Sequence, residues 1–281
     1  MFTTIIHTVT LDERNKDAIA AVVSGEFEPC GDHYRLHHRQ AINHDALMTL
    51  RQQVSFDINP LPERFDVEGL GLLLTDMDST LINIECIDEI ADFAGVKPQV
   101  AAITEAAMRG ELDFATSLTQ RVATLEGLDE GVLQRVYDER LTPNPGAETM
   151  VAGLHHQDVK VGLVSGGFTY FTDRLKGRLN LDFTRANVLE KRDGRLTGRV
   201  LGSIIDAKAK ADFLQELCEE LRITPRQAIA MGDGANDLLM MQHAGLGIAY
   251  RAKPKVQVQA DVVLNYSTLA DVLHLISCKG S

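Results

Sequence analysis

The chain has 281 residues, 28 Lys and Arg against 40 Asp and Glu, a formal net charge of −12 and a hydrophobic fraction of 44%. Length and apolar content suffice for one large or two modest cored domains, which excludes wholesale disorder, and the acidic balance argues against nucleic acid or an anionic membrane as partner. No apolar run approaches the ~20 residues of a membrane span, the opening MFTTIIHTVTLDERNKD lacks the parts of a signal peptide, and four dispersed cysteines (Cys30, Cys86, Cys218, Cys278) without a CxxC pair predict reduced thiols and a cytoplasmic protein.

Residues 1–65 are expected to form a small α/β module of unknown role. FTTIIHTVTL alternates like a strand, NKDAIAAVV suits a short helix, and HYRLHHRQAI suits a second strand. DINPLPERFDVEG, with two prolines and several charges, reads as a linker. Five of the nine histidines fall here: His7, His33, His37, His38 and His44. His33 and His37 would lie one turn apart on a helix, but no Cys or carboxylate stands at a useful spacing, so an exposed polar stretch is expected.

Residues 66–281 are patterned differently. GLGLLLT is an unbroken apolar run, as in a strand buried on both faces of a parallel sheet. Similar runs recur at VKVGLVS, AIAMGD, GLGIAY and ADVVLN, separated by the helix-like GAETMVAGLHHQ, TYFTDRLKGRL, AKADFLQELCEEL and NDLLMMQHA. Strands alternating with helices predict an α/β, doubly wound parallel sheet. The mostly helical stretch between the first two strands is too long for a simple crossover and predicts an inserted helical cap at about 84–142. Asp193-Gly194, between alternating runs, signals a β-hairpin. Glu216, Glu219 and Glu220 read as the solvated face of a helix.

Ligands of open parallel sheets sit beyond the carboxyl ends of the strands. Those ends carry Asp76-Met77-Asp78-Ser79-Thr80, Ser165-Gly166-Gly167 and Gly232-Asp233-Gly234-Ala235-Asn236-Asp237, with Lys210 at the start of the helix before the last of these. Carboxylates this close repel one another unless a cation joins them, and an oxygen-only donor set suits Mg²⁺. Such a site can cleave a phosphate ester: one carboxylate attacks phosphorus while a second serves the leaving alcohol. Taken alone, DMDST could be a helix cap. GDGAND lacks the third glycine of a dinucleotide fingerprint, where Asp237 stands, and SGG is not followed by the GK[ST] of a P-loop.

Together, DMDST, SGGF, Lys210 and GDGAND resemble the four motifs of the haloacid dehalogenase superfamily of aspartate-nucleophile phosphatases. DMDSTLINIECIDEIADFAG, EAAMRGELDFATSLTQRVATLEG, VSGGFTYF and GDGANDLLM are similar, more closely, to its phosphoserine phosphatase family, over about residues 70 to 265. The resemblance implies a Rossmann-like core, with Asp76 as nucleophile and Asp78 as general acid/base. Mg²⁺ would be held by Asp76, Asp233 and the main-chain carbonyl of Asp78, with Asp237 supporting the metal site. Ser165, Gly166 and Lys210 would hold the phosphoryl group, and Asn236 would lie near it. In the cap, Glu85 would meet the substrate's ammonium, Arg121 its carboxylate, and Met108 and Phe114 would line the closing pocket. The implied activity is hydrolysis of O-phospho-L-serine to serine, the last step of L-serine biosynthesis.

Without the resemblance, Glu85 and Arg121 would read as solvated surface charges and Met108 and Phe114 as ordinary core. Cys86 has no adjacent histidine and is not expected to be a nucleophile. Competing functions are a phosphotransferase that delivers the phosphoryl group to an alcohol, a phosphatase of another amino-acid ester such as phosphohomoserine, and a serine or phosphoserine sensor. A dehalogenase would have no use for an acid at Asp78. The expected partner is a small molecule; whether the chain forms a homodimer is left open.

Overall fold

The computed structural model describes residues 1–277. The chain opens with β1 (Phe2–His7), α1 (Glu13–Ala20), β2 (Gly25–Pro29), β3 (Tyr34–His38), α2 (His44–Gln53) and β4 (Asp57–Pro60). These strands form an antiparallel sheet in the order β2-β3-β1-β4, the split β-α-β-β-α-β arrangement. Asp12 caps α1 through the Asn15 N–H (2.8 Å), and Asn43 caps α2 through the N–H groups of Asp45 and Ala46.

Two expectations change here. DINP is not linker but β4, paired with β1; it lies at a sheet edge, where Pro60 is tolerated. His33 is not part of an exposed polar stretch: it stands just before β3 and is 1% exposed.

The second sheet starts with β5 (Leu72–Thr75), from which the chain leaves through four helices, α3 (Cys86–Phe93), α4 (Lys97–Met108), α5 (Phe114–Ala123) and α6 (Gly131–Glu139). It returns through α7 (Ala147–His156), β6 (Lys160–Phe168), α8 (Thr169–Leu179), β7 (Phe183–Arg192) and β8 (Arg195–Leu201). Then follow α9 (Ala207–Leu221), β9 (Ala228–Gly232), α10 (Leu238–His243), β10 (Leu246–Tyr250), α11 (Pro254–Gln257) and β11 (Val262–Leu264). The strand order is β11-β10-β9-β5-β6-β7-β8, parallel except for the β7–β8 hairpin. Asp193 and Gly194, with φ of 52° and 76°, make the hairpin turn, whose two central residues must both adopt positive φ.

β5 shows why its run is unbroken. Leu73 packs into one cluster with Met150, Leu163 and Phe171, while Leu72 and Leu74 face Leu214 and Leu217 of α9 on the other side. The chain winds outward from β5 in both directions, so the carboxyl end of β5 is the topological switch point.

The two sheets meet edge to edge. Asn59 of β4 donates to the Val263 carbonyl (3.0 Å) and accepts from the Val263 N–H (2.9 Å), standing in for a neighbouring strand. Asp57 accepts the N–H groups of Asn265, Tyr266 and Ser267 at 2.9, 3.0 and 2.9 Å.

Cys86 and Cys218 are free and buried. Cys30, by contrast, is held in a disulfide, which corrects the expectation of reduced thiols throughout. Cys278 lies outside the described residues.

Candidate active site

Asp76 continues the β5 ladder, its N–H donating to the Met231 carbonyl of β9 (2.9 Å). Met77 is fully buried. Ser79, at φ 56°, turns the chain back through a single wide turn, and its hydroxyl donates to Glu85 Oε1 (2.8 Å). Asp78 Oδ1 accepts the N–H of Cys86 (3.1 Å), the first residue of α3, so one carboxylate spans the junction of core and cap.

At the end of β6, Ser165 is buried and its hydroxyl accepts the Gly167 N–H (2.8 Å). A Cβ on Gly167 would lie 2.8 Å from Asp78 Oδ2 and 3.0 Å from Ser165 Oγ, so glycine is required for these two motifs to share one space. A Cβ on Gly166 would meet the Phe114 ring at 2.7 Å, which sets α5 of the cap directly over this loop.

The third motif closes the site. Lys210, fully buried, donates to Asp76 Oδ1 (2.6 Å) and Asp237 Oδ1 (2.7 Å). Asp237 Oδ2 accepts the Gly234 N–H (3.0 Å), and Asn236 folds back over Gly234. Asp76, Asp78, Asp233, Asp237, Ser165 and Lys210 thus meet at the switch point, as expected of the strand ends, with Gly166 beside Ser165 and Asn236 in the turn between Asp233 and Asp237.

The charges do not balance. Burial, then the charge of Asp237, pushes the Asp76 carboxyl well above its ordinary value, against the pull of Lys210. Burial, then Glu85, raises Asp78 to about 7; burial, then Asp237, raises Asp233 to about 6. Lys210 opposes its own burial through Asp237 and Asp76, which hold its ammonium charged. Four carboxylates against the buried Lys210 ammonium, with Lys253 acting on Asp233 without forming an ion pair among the described residues, call for more positive charge. Asp76, Asp233 and Asp237 each offer an oxygen within 4.8 Å of the others, a donor set suited to a hard divalent cation.

In the cap, Glu85 and Arg121 face the same cleft. The crowded walls raise the Glu85 carboxyl although one face of it stays open to solvent. Arg121, half-buried, feels Asp88, Glu85 and Asp78, yet forms no ion pair among the described residues. Met108 is the exception in the cap set: it ends α4 at 72% exposure.

Three residues escaped the sequence reading. Thr80 donates to Asp233 Oδ1 (3.2 Å); its place in DMDST was the available signal. Asp88, one turn along α3 from Glu85, adds a carboxylate facing Arg121. Asn187 of β7 donates to the Gly166 carbonyl (2.8 Å) and accepts the Ile205 N–H (2.9 Å), tying the Ser165 loop to the segment before α9; no local pattern marks it.

The profile of the haloacid dehalogenase-like hydrolases matches residues 70–245, more than half of the chain. The chain belongs to this family. Within these hydrolases, it is 56% identical over 224 residues to a phosphoserine phosphatase of a Polaromonas species, covering 78% of this chain and 95% of that protein. It is 46% identical over 263 residues to the phosphoserine phosphatase of Haemophilus influenzae, covering 90% and 83%. The unliganded crystal structure of a probable phosphoserine phosphatase from Vibrio cholerae superposes with a TM-score of 0.83 at 37% identity, covering 99% of this chain and 86% of that one. That last match includes the amino-terminal sheet as well as the hydrolase core.

Proposed function

We propose that the protein is a phosphoserine phosphatase, which hydrolyses O-phospho-L-serine to L-serine and phosphate, the last step of L-serine biosynthesis. One observation carries the reading furthest: Glu85 and Arg121, partners for an ammonium and a carboxylate, face the cleft that holds Asp76 and Asp78. A free amino-acid ester presents both groups, and Arg grips a carboxylate with two parallel hydrogen bonds. The relatives' names point to the same substrate.

Asp76 attacks phosphorus, displacing the serine oxygen and forming an aspartyl-phosphate. Asp78, raised to about 7, carries a proton to give to that oxygen and then takes one from the water that opens the intermediate. Lys210, Ser165 and the main-chain N–H groups of the glycine loop hold the phosphoryl oxygens. Asp76, Asp233 and the Asp78 carbonyl, with Asp237 in support, would hold Mg²⁺, which when bound would neutralise phosphoryl charge and relieve the repulsion among the carboxylates; the carboxylates of Asp76, Asp233 and Asp237 are the ones that lie within 4.8 Å of one another. Phe114 already covers Gly166; a closing cap brings Met108 over the substrate and excludes water.

A cytoplasmic address suits an enzyme of amino-acid synthesis; the disulfide at Cys30 is the observation that pulls the other way. Phosphate release from O-phospho-L-serine, O-phosphothreonine and an aryl phosphate, each with and without Mg²⁺, tests the proposal. Metal-dependent preference for phosphoserine is expected. Turnover of the aryl phosphate alone would keep the Asp76 chemistry and discard the roles of Glu85 and Arg121. No turnover of any ester by folded protein would favour a sensor.

A further inference from the structure

Asn187 sits where the ladder between β6 and β7 breaks. Val164 pairs with Arg185 and Phe168 with Asn187, so residues 165–167 face residue 186 alone. The extra length bulges Ser165-Gly166-Gly167 out of the ladder, beside Asp78, and a bulge at such a place re-aims the side chains it carries. The bulge takes the Gly166 carbonyl away from its strand partners, and Asn187 Nδ2 donates to it at 2.8 Å. The Gly166–Gly167 peptide is trans, so its carbonyl and its N–H point in opposite directions. On the far side the Gly167 N–H donates to Ser165 Oγ (2.8 Å). One peptide is thus gripped at both ends. A hydroxyl that accepts from the main chain keeps its own proton to give, and that of Ser165 has no acceptor among the described residues.

The other end of the same amide leads to Lys210. Asn187 Oδ1 accepts the Ile205 N–H (2.9 Å). The next residue, Asp206, caps α9 through the Ala209 N–H (2.8 Å), and its carbonyl accepts the Lys210 N–H (3.0 Å). From the start of that helix Lys210 reaches Asp76 and Asp237. A Cβ on Gly166 would lie 3.6 Å from the Ile205 carbonyl, so the two segments run side by side with the amide bridging them. Asn187 is 1% exposed, and its partners fix which way round the amide lies. Turned over, it would set N–H against N–H and oxygen against oxygen. An alanine there leaves a buried carbonyl and a buried N–H without partners.

Resting on the reading that Ser165 and Lys210 hold the phosphoryl group, we propose that Asn187 is a positioning residue for phosphoryl transfer. Through Gly166 it aims the Ser165 hydroxyl, through Ile205 it holds the root of Lys210, and so it sets the span between them. The full chain, under saturating Mg²⁺, is compared with Asn187→Ala and Asn187→Thr. The readouts are kcat on O-phospho-L-serine and on an aryl phosphate, and inhibition by orthovanadate and by L-serine. Orthovanadate copies the five-coordinate phosphorus of the transition state, whereas L-serine reads the cap. Asn187→Ala is expected to lower kcat by about 100-fold on each ester the wild type turns over. Vanadate inhibition should weaken by a similar factor, with L-serine inhibition unchanged. Asn187→Thr has a β-branched side chain that suits a strand, but its short hydroxyl does not span both partners. It should lose about 10-fold in kcat and in vanadate inhibition, and it reads the same role should the alanine variant fail to fold. A merely structural residue would behave like Asp57, whose alanine variant should lower stability and leave both inhibition constants alone. A lowered kcat with vanadate inhibition intact, or vanadate and L-serine weakened together, would overturn the positioning role and leave the phosphatase reading standing. So would wild-type kcat in both variants. If the wild type turned over neither ester, that reading would fall and the positioning role with it.

Discussion

At the edge-to-edge seam, Asp57 is buried, yet its oxygens accept three main-chain N–H groups, and Asn59 beside it satisfies both its amide oxygen and its amide nitrogen on Val263. At the cleft, Asp76, Asp78, Asp233 and Asp237 crowd around one ammonium, and three of these carboxyls are pushed upward. Both regions bury polar groups, but one matches every group to a partner and the other leaves negative charge in excess. A matched buried carboxylate stabilises the fold, whereas an unmatched one is kept for what it does to a ligand.

The widest separation of the two regions comes from Asp76→Asn. It removes the proposed nucleophile, so turnover of phosphoserine is expected to fall by on the order of 10⁴-fold or more, read as phosphate release at saturating substrate. Removing one of several repelling charges should leave the melting temperature unchanged or raise it. A variant that kept wild-type turnover would end the nucleophile assignment. Chelating the divalent ion should likewise abolish turnover, with recovery on adding Mg²⁺ back.

Asp57→Ala should do the reverse. Three N–H groups lose their acceptor in a buried seam, and stability is expected to drop by about 3–5 kcal/mol, measured as a shift in the denaturant midpoint. Turnover per folded molecule should hold, because Asp57 touches nothing in the cleft. If kcat fell with stability intact, the seam would have to be counted as part of the active machinery.

Arg121→Ala sharpens the contrast inside the cleft. Loss of a bidentate carboxylate partner is worth roughly 2–3 kcal/mol, so kcat/KM for phosphoserine should fall by about 30–150-fold while that for an aryl phosphate barely changes. Equal losses for both esters would mean that Arg121 supports the cap rather than reading the amino acid.

How far the sequence alone reveals each region follows from the same physics. β5, β6, β9, β10 and β11 are legible because strands covered on both faces become unbroken apolar runs. The cleft is legible because its chemistry needs particular residue types within a few positions, as in DMDST and GDGAND. β2 is nearly all exposed and shows no alternation, and β4 ends in Pro60 at a sheet edge, so neither announces itself as a strand. Asn187 acts by joining two loops. His7 meets His274, 267 positions away, and nothing local encodes such a meeting.

Asp182 gives the comparison its smallest and most specific test, since its carboxylate has positive partners to spare. Burial alone would raise its carboxyl, but the Lys160 ammonium (2.8 Å), the Val161 N–H (2.9 Å) and His155 Nε2 (2.9 Å) outweigh it and hold the group below its ordinary 3.8. The unfolded chain therefore binds the proton more readily than the folded one. The stabilising contribution of Asp182 is full above the unfolded value and is lost as pH falls through the lower folded value. Asp182→Asn should reduce stability at neutral pH by about 1 kcal/mol, and the difference from wild type should shrink as the melts are repeated toward pH 3. A gap that stayed constant down to that pH would mean that Asp182 contributes through the shape of its hydrogen bonds and not through its charge. The opposition between cation-rich and cation-poor carboxylates would then rest on the cleft alone.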